Sequence, residues 1–207
     1  MRQAVELSIT TIESRLSDLG GFRFSVRRQG GAQILVQVSR SDDLKRLIEL
    51  ATKLARLEFR MVDGTMAVAQ ALASRAPPES EILYGWQKEG KQPYLVEKRV
   101  IISGRDIVDA RPGFEPRMSE PVVNFRFNAS GARRFAQATS ENVGRPFAIV
   151  LDNEVISAPV IREPILGGQG QISGNFTVQT ANDLAILMRA GALPARLNVI
   201  EERSAAP

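Results

Sequence analysis

The 207-residue sequence contains no cysteine and no histidine. Without cysteine there is no disulfide, no thiol nucleophile and no thiolate metal ligand. That absence suits an oxidising compartment, although many domains of reducing compartments lack cysteine too. Without histidine the commonest general base and the commonest zinc ligand are missing, and a Ser-His-Asp hydrolase is excluded by count alone. Aromatics are sparse, with one Trp and two Tyr, so their placement carries information. No apolar run approaches the roughly 20 residues of a membrane span, and no charged-then-apolar leader opens the chain. The polypeptide is therefore expected to be soluble as given, and it reads as a piece of something longer with a frayed tail at Ser204–Pro207. The net charge of +4 is spread along the chain, densest at Arg23, Arg27 and Arg28. It forms no basic stripe interleaved with aromatics, so no nucleic-acid partner is expected.

What is present alternates between helical and strand periods. Val5, Ile9, Ile12, Leu16 and Leu19 recur at helical spacing, and Gly20-Gly21 ends that helix. Phe22, Phe24 and Val26 alternate with polar residues, Gln29-Gly30-Gly31 turns, and Ile34, Val36 and Val38 return as a hairpin. Ser41 is placed to cap a second helix, with Asp42 and Asp43 near its positive end. Leu57–Val62 reads as a strand. This α-β-β-α-β order is ferredoxin-like without its first strand, and Leu197–Ile200 is available to complete the sheet.

A different texture follows Gly64. A short Ala-rich helix is expected over 66–75, stopped by Pro77-Pro78. Ile82, Tyr84 and Trp86 alternate, Lys88–Lys91 turns, and Tyr94 and Val96 return as a second hairpin. Residues 111–121, with three Pro and one Gly, read as loop. Val123, Phe125 and Phe127 form a strand, and a helix runs from about Ser130 to Gly144. Phe147–Leu151 is a continuous apolar strand expected to be buried on both faces. Asp152-Asn153 turns it, 155–161 returns, and 171–174 is a short strand. Thr180 with Asp183 resembles a capping box opening a last helix that stops at Gly191. The expected class is α+β: a ferredoxin-like base subdomain (1–64 with 193–207), a connector (65–80) and an inserted α+β head subdomain (81–192).

Few motifs suggest chemistry. Gly168–Gly174 spaces its glycines G-x-G-x-x-x-G, which does not match the phosphate-binding fingerprint, so it reads as a bend between strands. Asp106, Asp109, Asp152 and Glu154 sit at turns, where Asp belongs for backbone reasons rather than for paired-carboxylate catalysis. No calcium-loop pattern occurs. No catalytic residue, metal site or cofactor is expected, and the chain is not expected to be an enzyme. Ile82, Tyr84, Trp86 and Tyr94 gather the only Trp and both Tyr on one hairpin, as either a binding surface or ordinary packing. Phe114 and Ile161 join them as candidate binding positions. Asp63-Gly64 and Gly191-Leu193-Pro194 mark the two crossings between base and head, where hinge motion is expected.

Several segments together carry a family resemblance: Leu57–Arg60, Val123–Phe127 with Gly131-Ala132, Ala148–Asp152, Ser157–Ile161, Ile172–Phe176, Leu187–Ala195 and Glu201–Arg203. On these the sequence resembles the first periplasmic domain of the SecD family of protein-export subunits. The resemblance implies a place on the periplasmic side of the bacterial inner membrane, reached through transmembrane helices outside this sequence. It implies unfolded preprotein, SecF and the SecYEG translocon as partners in proton-driven export, with the head contacting the emerging chain. A structural module holding SecD to SecF, without substrate binding, is the alternative. The family's first strand, a Leu-Asp-Leu-x-Gly-Gly-like segment, is missing before Met1.

Overall fold

A computed structural model describes residues 2–39, 43–87 and 90–203, without the side chains of 86 and 87. Ser41 and Asp42, the turn residues Lys88 and Glu89, and the Ser204–Pro207 tail lie outside the described residues. The chain is α+β and divides into two compact units, 1–55 with 192–207 and 56–191.

The first unit is built by helix α1 (Arg2–Leu19), strands β1 (Phe24–Gln29) and β2 (Gln33–Val38), and helix α2 (Leu44–Thr52). β1 and β2 pair antiparallel from Phe24↔Val38 to Gln29↔Gln33. The apolar stripe of α1 meets that of α2 in a core of Ile12, Leu16, Leu47 and Ala51. One face of the hairpin packs on it through Phe24, Val26, Val36 and Val38. Asp43 caps α2 by accepting from Arg46 N at 3.1 Å. The other end of α2 is capped by a buried cation: the Arg15 guanidinium donates to Leu50 O at 2.8 Å and Lys53 O at 2.5 Å. Those carbonyls are the negative end of the helix, where a guanidinium is favoured. The returning segment is tied in by Leu193, buried in the same core, whose N–H donates to Leu54 O at 2.8 Å. Residues 197–200 are not a strand. Leu197 is held by its side chain against the core, while Val199 and Ile200 are exposed, so one apolar contact fixes a segment that forms no ladder.

The second unit contains, in order, β3 (Leu57–Val62), α3 (Val68–Ala73), β4 (Ser80–Gln87), β5 (Gly90–Ser103), a 3-10 turn (Gly104–Asp106), β6 (Ile107–Phe114), β7 (Pro121–Phe127), α4 (Ala129–Glu141), β8 (Phe147–Leu151), β9 (Glu154–Ser157), β10 (Gln169–Ile172) and α5 (Val178–Ala190). Five strands close a barrel in the order β3-β5-β4-β9-β8, and a separate sheet runs β10-β7-β6. β3 therefore does not belong to the first unit, where the helical and strand order of 4–62 had placed it. It hydrogen-bonds to β5 and β8, and ladder pairing outweighs nearness in sequence. The first crossing falls at Ala55–Arg56, not at Asp63-Gly64. Ala55 there has φ 59°, a left-handed conformation that costs a non-glycine residue on the order of 1 kcal/mol. The second crossing, Gly191–Ala192, also has a left-handed residue, Gly191 at φ 77°.

β8 is buried along its whole length. Because side chains alternate along a strand, Ala148 and Val150 enter the barrel interior beside Leu83, Val96 and Val155, while Phe147 and Ile149 point the other way. Asp152 and Asn153 reverse β8 into β9 with φ 50° and 69°, the two positive values a type I′ hairpin needs. β9 reaches β4 through a single parallel pair, Tyr84↔Glu154. The approach is so close at Gly85 that any Cβ there would fall on the Val155 carbonyl. Residues 111–114 extend β6 and are not loop: Pro112 and Gly113 are tolerated because β6 is an edge strand. α5 begins one turn earlier than Thr180. Thr177 is the cap, its side chain accepting from Thr180 N at 3.1 Å, and Thr180 closes the box by accepting from Thr177 N at 2.8 Å.

Candidate functional site

The five binding candidates whose side chains are described do not converge. Ile82 and Tyr84 share one face of β4, and Tyr84 is 38% exposed with Lys91 Nζ 4.5 Å from its ring centroid. The backbone of Trp86 continues β4; its side chain is outside the described atoms. Tyr94 lies opposite Leu83 in the ladder, so it points into the barrel interior, away from Tyr84, and packs on the interior cluster. Phe114 is 60% exposed at the end of β6, near Met118 in the following turn. Ile161 is buried in the wall of a cavity.

That cavity, about 260 Å³, is lined mainly by apolar side chains. Its floor consists of Phe59 from β3, Phe125 from β7, Phe135 from α4 and Phe147 from β8. The rings lie 5.5 to 6.4 Å apart at interplanar angles of 32° to 62°, tilted or edge-on rather than stacked face to face, as aromatic quadrupoles prefer. α4 is positioned by Asn128, which accepts from Gly131 N at 2.8 Å, and by the absence of a side chain at Gly131, where a Cβ would lie 2.8 Å from Asp106 Cβ. The outer wall is the segment after β9. Pro159 O accepts from Phe147 N at 2.9 Å, Ile161 exchanges backbone bonds with Gly144 and Arg145, and Ile165 N donates to the buried Thr139 Oγ1 at 2.9 Å. The wall is thus pinned at three points. Val160 on the rim is 54% exposed, while Arg162 and Glu163 place opposite charges there. An apolar floor with a few polar groups at the mouth is the usual composition of a binding pocket.

The carboxylates have structural employment. Asp152 Oδ1 accepts from Arg56 N at 2.8 Å, and Asp109 pairs with Arg111 at 3.1 Å. Burial raises the pKa of Asp106, but the Arg134 guanidinium 2.6 Å away and the Ser103 donors outweigh it and hold the carboxyl below its ordinary value. Asp63 is tied to the barrel by its backbone and its side chain. It is 8% exposed; its N–H donates to Leu95 O, and its carboxylate accepts from Ser80 Oγ at 2.5 Å and from Thr65 Oγ1 and N. The Ser80 and Thr65 hydroxyls lower its pKa. Among the described residues no group of three His, Cys, Asp or Glu is arranged to hold a metal ion.

Asp63 makes stability depend on pH. Its folded pKa lies below the unfolded value of about 3.9, so its stabilisation is complete above that value and is lost as the pH falls through the lower folded one. Urea midpoints of the native chain should therefore fall steeply below about pH 4, and Asp63→Asn should flatten that fall while lowering the midpoint at pH 7. An equally steep acid limb in the variant would assign the effect elsewhere.

Comparison with known proteins divides the chain at 64 and 80, so β3 falls with the N-terminal match although it packs in the second compact unit. Residues 80–195 match the SecDF P1 head subdomain, and residues 5–64 match the N-terminal part of the P1 domain of protein translocase subunit SecDF. The chain belongs to the SecDF P1 family. The SecD subunit of Desulfurispirillum indicum is 38% identical over 211 residues, which cover 99% of this chain and 41% of the relative. That of Magnetococcus marinus is 41% identical over 209 residues, covering 99% and 40%. The chain thus spans about 40% of the length of these relatives. Among solved structures, a SecDF described as enhancing protein export matches with a TM-score of 0.73 and 32% identity, covering 98% of this chain and 94% of that one. SecDF in its super-membrane-facing form matches with a TM-score of 0.77 and 32% identity, covering 97% and 28%. No helix among the described residues of this P1 domain is long and apolar enough to cross a membrane.

The residues that sequence reasoning missed are Phe59, Phe125, Phe135 and Phe147. Each had a local reading as a buried strand or helix position. The available signal was that these elements hold five of the chain's nine Phe residues, Phe127 being the fifth.

Proposed function

We propose that this P1 domain serves a SecD subunit of the SecDF complex on the periplasmic side of the membrane, and that its head unit binds unfolded preprotein as it emerges. The observation that carries the reading is the phenylalanine-floored cavity, open to solvent past the exposed Val160 and held by a wall pinned at three points. An emerging chain displays apolar side chains that a folded protein hides, and transient capture of such side chains needs an apolar recess with little fixed charge. A SecDF of known structure is described as enhancing protein export, which fits this client. Only two chain crossings join the units, each with a left-handed residue beside it, and motion there converts capture into pulling driven by the proton gradient. SecF and the translocon are partners of the full-length subunit. The alternative, a purely structural module docking on another subunit, draws support from Phe114 and Met118, exposed at 60% and 73% at one end of β6.

Site-specific photo-crosslinking in the full-length subunit separates the two. With a preprotein stalled in the translocon, a crosslinker at Val160 should capture the preprotein, and one at Phe114 should capture it weakly or not at all. Preprotein capture absent from Val160, with Phe114 capturing a Sec subunit, would support the structural reading.

A further inference from the structure

The three-stranded sheet has two edges, and they are treated differently. The β6 edge is guarded. α5 packs along β6, Arg189 donates to Ala110 O at 2.6 Å, and Pro112 offers no N–H. Covering elements, charged side chains and proline are the usual means of stopping a strand from accepting another chain. The β10 edge carries none of these. Among the described residues β10 pairs with β7 alone, and Gly170 and Gln171 border the phenylalanine cavity. Its exposed stretch ends where Ser157 Oγ donates to Ser173 O at 2.6 Å. Ile172 is fully buried, so Gln169–Gln171 remain, a length of roughly 10 Å at 3.3 Å per residue.

We propose that the client polypeptide is held as an added strand along the outer edge of β10, with one bulky uncharged side chain inserted into the phenylalanine cavity. The proposal rests on the polypeptide-binding reading and specifies its chemistry. Backbone pairing supplies contacts that do not depend on sequence, and a pocket beside the edge supplies selection at one position. The cavity is smaller than the roughly 300–1,000 Å³ of drug-sized sites, which suits a single large side chain. Arg162 and Glu163 cancel in formal charge at its mouth, so neither an acidic nor a basic side chain is favoured there. Gly170 accounts for the contact between edge and pocket. A Cβ at that position would lie 2.5 Å from the Phe125 ring, so only glycine lets the aromatic floor sit against the strand that receives the guest. A short edge with one pocket gives weak, sequence-tolerant binding that a moving chain can leave.

The test uses the 207-residue chain and dye-labelled ten-residue peptides of alternating Ser and Thr with a central Phe, read by fluorescence anisotropy. Replacing the central Phe by Asp should weaken binding at least tenfold. In an added strand only alternate N–H groups face the host. Methylating one alternate set of peptide nitrogens should therefore weaken binding about tenfold, and methylating the other set should change it less than twofold. Val160→Glu, at an exposed rim position, should reproduce the loss with an unchanged thermal midpoint. Peptide binding indifferent to both methylated sets would overturn strand addition and leave polypeptide binding standing. No binding of any unfolded peptide by the native chain would overturn both.

Discussion

Replacing Phe59 by alanine lowers the stability of the second unit by about 3–5 kcal/mol, the range for removing a buried aromatic. Phe59 is fully buried, and its ring contacts Phe125, Phe127 and Phe147 at centroid distances of 5.5, 5.2 and 6.0 Å. It belongs to the strand that pairs with both β5 and β8, so its surroundings are fixed by ladders on two sides and collapse little around the missing ring. It also borders an existing cavity, so the deletion enlarges that space. A chain of two units is not a two-state system, and the probe must report on one of them. The single Trp, at position 86, belongs to β4 of the head unit, so its fluorescence isolates the relevant transition in guanidinium. Phe59→Leu keeps much of the volume and should cost less than half as much. A Trp-reported shift below 1 kcal/mol in Phe59→Ala would show that the ring cluster does not organise the head.

Arg60→Met is the second large effect, about 2–4 kcal/mol, and its cause is electrostatic. Arg60 is 3% exposed, and alternation places it with Ala148 and Val150 on the interior face of the barrel. Its guanidinium lies 2.6 Å from Glu81 and 3.6 Å from Glu58, and it donates to Glu97 O at 2.6 Å. Methionine fills the volume but leaves Glu58, Glu81 and the Glu97 carbonyl without the cation that joined them. The cost is moderated because the Glu81 side chain is 43% exposed and can turn to water. Adding Glu58→Leu and Glu81→Leu to Arg60→Met should recover most of the loss, since whole buried charge clusters are often replaceable by apolar groups when single members are not. A triple variant no more stable than the single one would mean that the cluster contributes through something other than charge balance.

What the sequence revealed and what it hid follow from the range of the interactions. The stripe of α1, the β1–β2 hairpin, the all-buried β8 and the Asp152-Asn153 reversal were readable, because each depends on neighbours a few residues away. The partners of β3 were not. Leu57–Val62 carries a correct strand pattern, but nothing local says that it joins a barrel with residues ninety positions later. The division of the compact units at Ala55–Arg56 was hidden for the same reason. Pro112 and Gly113 suggested loop, although an edge strand accepts both. The aromatic hairpin was sound as a hairpin, but antiparallel register sets Tyr94 against Leu83, so the Tyr side chains diverge. The cavity needed four elements brought together before its phenylalanines could be recognised as one floor.

The most direct test of the central claim, that the head captures unfolded chain in the phenylalanine cavity, is methyl NMR of the isoleucines during titration with a permanently unfolded polypeptide. Ile149, Ile161 and Ile165 line the cavity, and Ile82 lies on the aromatic hairpin. Capture in the cavity gives saturable shifts at the three cavity methyls with Ile82 unmoved. Shifts at Ile82 with the cavity methyls unmoved would contradict it.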